Sequence, residues 1–139
     1  MEQSSKGKAL QPKPNNIMVV PASFEDDFFK WWCVFLRPFI KLTDKEIEVV
    51  ASFLRQRQRL SKSISDPTLL DQIMMSEETK TKVREECNIT QQNLYVIMRN
   101  LRKSNVFTYK EINPKLIPNI RVTDNGVFQL LILFKDNKK

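Results

Sequence analysis

The chain has 139 residues, a formal net charge of +7 at pH 7 and a sequence pI near 9.5. This length fits one ordinary domain with a real core and leaves little room for a second. Histidine is absent, and Gly7 and Gly126 are the only glycines, which excludes an imidazole base, a glycine-rich phosphate loop and a dinucleotide-binding turn. We therefore expect a non-enzymatic protein without a cofactor.

The excess of positive charge favours an anionic partner such as DNA, although a basic surface also serves solubility or contact with an acidic protein. Cys33 and Cys87 are the only cysteines, so we exclude a zinc finger and expect reduced packing residues. The carboxylates lie where solvated faces and the first turns of helices accept negative charge, so we do not expect a metal site. No apolar run reaches the roughly 20 residues of a membrane span, and we expect an intracellular protein.

Residues 1–16 have the composition of a flexible arm. Lys6, Lys8 and Lys13 make it basic, and bulky apolar side chains are nearly absent. Such an arm suits a nucleic-acid groove, a neighbouring subunit or a simple solubilising tail. We predict that residues 17–139 form the single folded domain.

Ile17–Val20, closed by Pro21, favours an edge strand or a packed extended segment. An aromatic helix is predicted over residues 24–37, where Ser23 and Asp26 form a capping-box-like start and Pro38 ends it. Its apolar side chains cover nearly all sides. It is therefore either a central core helix or a helix that also contacts a partner; the candidate interface residues are Phe28, Trp31, Trp32 and Phe35.

Three further helices are predicted in the middle of the chain. Thr43 and Glu46 form a capping box ahead of a helix to Leu60, and its basic end, with Arg55, Arg57, Arg59 and Lys62, is a second candidate for nucleic-acid contact. A short helix is expected from Asp66 to about Met74. Ser76 caps a helix from Glu77 to Glu86.

The sequence of residues 88–107 predicts a capped basic helix that is followed directly by a strand. Thr90 supplies the N-cap, and Leu94, Met98 and Leu101 share one face with Ile97. The opposite face carries polar, aromatic and basic side chains able to reach phosphates and base edges. Val106, Phe107 and Tyr109 are predicted strand residues, and residues 126–134 are predicted as the last strand of a C-terminal β-hairpin.

These elements together resemble a winged helix-turn-helix domain over residues 42–135, within a fold of the α+β class that is mostly helical. In that family the helix after the turn enters the major groove, and the hairpin wing contacts the backbone or the minor groove. The resemblance implies groove contacts from Gln91, Gln92, Tyr95 and Arg99. It implies phosphate contacts from Arg102, Lys103, Lys110, Lys115 and Arg121.

Two features favour an alternative, a structural assembly or adaptor component. The aromatic helix and the arm suit subunit contacts and a homo-oligomer, and the segment Lys110–Thr123 is longer than a simple wing. The lysine-, asparagine- and isoleucine-rich, glycine-poor composition resembles small proteins of phages and mobile elements. In that case the location would be a virion.

Overall fold

In the part of the chain that the structure describes, five α-helices are followed by a short antiparallel pair of strands. A computed structural model of the protein describes residues 17–123 and 126–137. The elements are α1 (Phe28–Leu36), α2 (Asp44–Ser61), α3 (Pro67–Met74), α4 (Glu77–Cys87), α5 (Gln91–Lys103), β1 (Ile120–Val122) and β2 (Phe128–Leu130). The predicted α+β, mostly helical class is confirmed. The predicted arm, residues 1–16, lies outside the described residues.

Side-chain caps start α2, α4 and α5 where the sequence predicted them. Thr43 accepts a hydrogen bond from the Glu46 backbone N–H, and the Glu46 carboxylate accepts one from the Thr43 N–H. Ser76 and Thr90 accept bonds from the backbone N–H three residues later. These bonds satisfy N–H groups that a helix start otherwise leaves free, so α2, α4 and α5 begin at defined residues.

Helix α2 is the centre of the core. Helices α1, α3, α4 and α5 all pack against it. Its buried apolar residues are at most 3% exposed: Ile47, Val49, Val50, Ala51, Phe53 and Leu54. Burying each large apolar side chain contributes about 1.5–3 kcal/mol, so this helix holds the other four in place.

Helix α1 is shorter than predicted, because residues 24–27 form turns and the helix begins at Phe28. The predicted interaction between Ser23 and Asp26 is present: the Asp26 N–H donates to Ser23 Oγ at 3.0 Å, and the Ser23 hydroxyl donates to the Asp26 carboxylate. One face of α1 packs on α2. Trp32 Nε1 donates to the Leu116 carbonyl at 2.7 Å, which ties α1 to the 3-10 turn Pro114–Leu116.

The prediction of a strand directly after α5 is wrong. Val106 and Phe107 are both 1% exposed, but their N–H groups donate to the Leu101 carbonyl, and only a single bridge joins Phe107 to Ile112. Asn105 takes the left-handed conformation with φ 64°. The Val106 N–H, which a longer ladder would use, is thus occupied in closing the end of α5.

The last strand is shorter than predicted. β1 and β2 pair in the register Ile120 with Leu130, and the Leu131 N–H still donates to the Asn119 carbonyl at 3.1 Å. Continued pairing would place Leu133 opposite Ile117. The Ile117 N–H is not available for that pairing, because it donates to the Pro114 carbonyl. The ladder therefore ends at residue 131, and residues 131–137 are exposed.

Candidate nucleic-acid interface

Helices α4 and α5 are joined by a tight turn of three residues. Asn88 ends α4 in the left-handed conformation, with φ 54° and ψ 52°, and the Ile89 N–H donates to the Arg84 carbonyl at 3.1 Å. Thr90 then caps α5 through a 3.1 Å bond from the Asn93 N–H. Both helices contact α2 as well as one another. The turn and its caps thus fix the direction in which α5 leaves the core.

Helix α5 has one buried face and one exposed face. Leu94, Met98 and Leu101 are at most 4% exposed and hold the helix on the core. The exposed face carries most of the predicted groove and phosphate residues: Gln91, Gln92, Tyr95, Arg99 and Lys103. Tyr95 is 63% exposed. The helical period predicted this division correctly.

The exposed face of α5 carries positive charge without compensating acids. The sequence from Asn88 to Lys110 contains four basic residues and no Asp or Glu. Arg102 and Lys103 lie in the last turn, where cations are favoured by the helix dipole. Within residues 17–123 and 126–137, neither Arg99 nor Lys103 forms an ion pair, so these charges are free to meet an external anion.

Arg102 is held by an aromatic ring. Its guanidinium carbon lies 4.2 Å from the centroid of the Tyr109 ring, and Tyr109 itself is 79% exposed. Tyr109 belongs to the short loop after α5, in which Thr108 accepts hydrogen bonds from the N–H groups of Lys110 and Glu111. The stacking therefore brings the exposed Lys110 backbone close to the C-terminal end of α5.

Lys115 and Arg121 are exposed but belong to a different part of the surface. Lys115 lies in the 3-10 turn that accepts the hydrogen bond from Trp32, and Arg121 lies in β1. The hairpin packs through Phe128, whose ring centroid is 4.4 Å from that of Phe24. Across the described residues, no backbone contact joins α5 to either strand. The predicted site residues therefore form one group around α5 and a second around the hairpin.

The basic end of α2 contributes less free charge than its sequence suggests. Arg55 and Arg59 both bind the Glu86 carboxylate, at 3.1 Å and 3.0 Å, and Arg59 also binds Glu25 at 2.7 Å. These two arginines connect α2 to α4 and to the segment before α1. We therefore assign them a structural role in place of the nucleic-acid contact that was considered for them.

Glu86 accepts hydrogen bonds from both arginines and from two polar residues of α2. Ser52 Oγ donates at 2.8 Å and Gln56 Nε2 at 3.0 Å. Partial burial acts to raise the pKa of Glu86, but the hydrogen bonds from Ser52, Arg59 and Arg55 outweigh it and hold the pKa below its ordinary value. The carboxylate is thus ionised at neutral pH and locks α4 against α2.

The four candidate interface residues of α1 separate into two pairs. Phe28 and Trp32 are 6% and 8% exposed and pack in the core, so they are not accessible to a partner. Trp31 and Phe35 are exposed, as predicted for an interaction surface. Phe39, which the prediction did not include, is 68% exposed and continues this stripe. Its four-residue spacing from Phe35 was the signal for it.

Neither cysteine has the environment of a reactive thiol. Cys33 is 0% exposed, and burial raises its pKa to about 12 despite the opposing influence of Arg55. Burial also raises the pKa of Cys87, whose Sγ donates to the Glu48 carbonyl at 3.4 Å. In the described part of the chain, no three His, Cys, Asp or Glu side chains cluster as metal ligands would.

Among the described residues, no helix has both the length and the apolar character needed to cross a bilayer. Comparison with known proteins returned no matching family model, no matching curated protein and no matching solved structure.

Proposed function

We propose that this chain is a non-enzymatic DNA-binding protein that contacts the duplex through α5 and the segment that follows it. The observation that supports this is the composition of α5: Leu94, Met98 and Leu101 anchor it to the core, while its free face is polar and basic. In this proposal α4 and α5 are the two helices of a winged helix-turn-helix domain, and β1 and β2 are its wing.

The side chains of α5 divide into two roles. Gln91 and Gln92, in the first turn, have amide groups suited to the hydrogen-bonding edge of adenine in the major groove. Arg102 and Lys103, in the last turn, neutralise phosphates and release bound counterions, and Arg99 serves both roles because its guanidinium can bind a phosphate or a base edge. Affinity then comes mainly from phosphate contacts and falls as salt rises, and sequence preference comes from the glutamines and Arg99.

A binding titration tests this function. The full chain is added to a fluorescently labelled duplex at low salt, and anisotropy is followed. We expect a dissociation constant at or below about 10 µM, within the range of non-specific protein–DNA contacts or tighter. An unlabelled duplex should displace the labelled one. Absence of binding at low salt overturns the proposal.

A second candidate function is a structural assembly component, and the exposed aromatic stripe formed by Trp31 and Phe35 of α1 and by Phe39 just after it favours this function. Trp31 is 56% exposed and Phe39 68%, and Phe35 lies between them at four-residue spacing. Exposed aromatic clusters are typical of protein interfaces. In this function the stripe binds another subunit, so a protein that is an oligomer in solution should become smaller on the double substitution W31D/F35D. A wild-type monomer contradicts it.

A further inference from the structure

Within residues 17–123 and 126–137, no strand pairs with the outer edge of β2. The Thr123 N–H donates to the Val127 carbonyl and the Leu131 N–H to the Asn119 carbonyl, so the odd-numbered residues of this strand face β1. In an antiparallel ladder the N–H and carbonyl groups of the even-numbered residues then point away from β1, toward the outer edge of β2. Phe128 and Leu130 thus present backbone donors and acceptors on the outer edge, and Ile132 would take the next such position when pairing with an added strand extends β2.

The residues that continue this edge are apolar and exposed. Leu131, Ile132, Leu133 and Phe134 are 54%, 37%, 83% and 81% exposed. An exposed apolar strand edge is a template for pairing with another strand, and proteins that remain monomeric usually protect such an edge with charges, proline or a covering element. None of the four residues from 131 to 134 is charged or a proline.

The same chain carries a second exposed apolar segment with no helix or turn. Ile17, Met18, Val19 and Val20 are 53%, 85%, 82% and 57% exposed. Pro21 follows directly and limits the segment to four residues. In the described part of the chain, no hydrogen bond joins residues 17–20 to residues 131–134. Within the described residues, the β2 edge and the exposed segment 17–20 are therefore not paired with each other.

Both segments leave the fold at the same corner. Phe24 stacks on Phe128, with ring centroids 4.4 Å apart, and only residues 21–23 separate Phe24 from the apolar segment. The four Cα–Cα steps from Phe24 to Val20 span at most about 14 Å, so the segment ends within reach of β2. A two-fold axis through this corner sets the segment of each copy against the β2 edge of the other, and such an exchange closes on itself without forming a filament.

We propose that two copies of this chain form a dimer by strand exchange, in which residues 17–20 of each copy pair with the edge formed by residues 128–134 of the other. The four exchanged segments would cover on the order of 1,500 Å² of largely apolar surface, within the roughly 1,200–2,000 Å² of a stable interface. The backbone hydrogen bonds set the position of the added strand, and its apolar side chains provide the affinity. This interface does not depend on DNA binding.

Sedimentation velocity of the full chain, from about 1 to 100 µM, tests the dimer. We expect a monomer–dimer equilibrium. The substitution Ile132→Pro removes an outer-edge donor and leaves the bonds to β1 intact, so it should raise the dissociation constant roughly tenfold or more. Leu133→Pro is the matched control, because in the extended strand its N–H would face the β1 side, and it should have a smaller effect. Circular dichroism checks that both variants fold.

Complementation gives the sharper result. The variant M18P/V19P lacks two neighbouring backbone N–H groups of the segment 17–20, one on each edge of the added strand, and keeps the β2 edge. The variant I132P keeps the segment 17–20 and loses part of the edge formed by residues 128–134. Each variant alone should be mostly monomeric, and their mixture should form a one-to-one dimer through the remaining intact exchange. A monomeric wild type overturns the proposal. So does a wild-type dimer that both proline variants retain and only W31D/F35D dissociates.

Discussion

The guanidinium of Arg102 lies over the ring of Tyr109, with 4.2 Å between the guanidinium carbon and the ring centroid. The ring holds a cation of α5 in one orientation and joins the helix end to the loop that carries Lys110. An arginine ordered before binding loses less conformational freedom when it meets a phosphate. This pair thus connects the geometry of the α5 surface to the affinity that we propose for it.

Removing the ring should weaken DNA binding without unfolding the protein. Tyr109 is exposed, so Tyr109→Ala costs little packing, but it releases Arg102 from a contact worth about 0.5–1 kcal/mol. We expect the dissociation constant to rise roughly two- to fivefold in an anisotropy titration. Tyr109→Phe keeps the ring and should bind like the wild type. Equal affinities for the alanine and phenylalanine variants would contradict the role of the ring.

The Thr90 cap should stabilise α5 and the turn before it. Thr90→Ala removes the acceptor of the Asn93 N–H, so we expect the free energy of unfolding to fall by about 1 kcal/mol in urea denaturation. Thr90→Ser keeps the hydroxyl and should lose only a small fraction of that amount. If both variants lose the same stability, the hydroxyl is not acting as the cap.

Glu86 should make stability depend on acid pH. Its folded pKa is lowered from the ordinary 4.5, so its contribution is complete above the unfolded pKa and is lost as the pH falls through the folded value. Glu86→Gln should destabilise the protein at pH 7 by about 1–2 kcal/mol, a modest amount because the side chain is 26% exposed and solvent screens the ion pairs.

The measurement is the urea midpoint of wild type and E86Q at several pH values from 7 to below 4. The difference between the two proteins should be constant near neutrality and should shrink as the pH falls below about 4.5. Glu85→Gln on the same helix is the matched control, since Glu85 forms no ion pair within the described residues. A pH-independent difference for E86Q would contradict the account of the network.

Neither thiol should react with a thiol reagent in the folded protein. Cys33 is fully buried with its pKa raised to about 12, and Cys87 is buried with its pKa also raised. The thiolate is the reactive form, so a colorimetric thiol reagent at pH 8 should titrate neither cysteine in buffer and both in guanidinium. Rapid reaction of one thiol in the folded state would show that its helix opens.

The sequence predicted the features that depend on near neighbours. Helix starts at Thr43, Ser76 and Thr90 were predicted correctly because each cap bonds to a residue three positions later. The exposed face of α5 followed from the helical period alone. The strand after α5 was wrong because the donors of Val106 and Phe107 bond to Leu101, a competition that apolar alternation does not reveal.

Features that depend on distant neighbours were not predictable in the same way. The side chains that donate hydrogen bonds to Glu86 lie 27 to 34 residues away from it in the chain. Helix α1 is apolar on nearly all sides, so its sequence could not distinguish the buried Phe28 and Trp32 from the exposed Trp31 and Phe35. That distinction is made by α2, which covers one side of α1 and leaves the other open.

The salt dependence of DNA affinity tests the central proposal most directly. The logarithm of the binding constant should fall linearly with the logarithm of salt concentration, and R99A/R102A should flatten the slope by about two, since each phosphate contact contributes roughly one. The control K30A/K41A removes the same charge from two exposed sites in and after α1, a helix that does not contact α5, and should leave the slope nearly unchanged. Equal slopes for wild type and R99A/R102A, or equal flattening by the control, would contradict a DNA contact through α5.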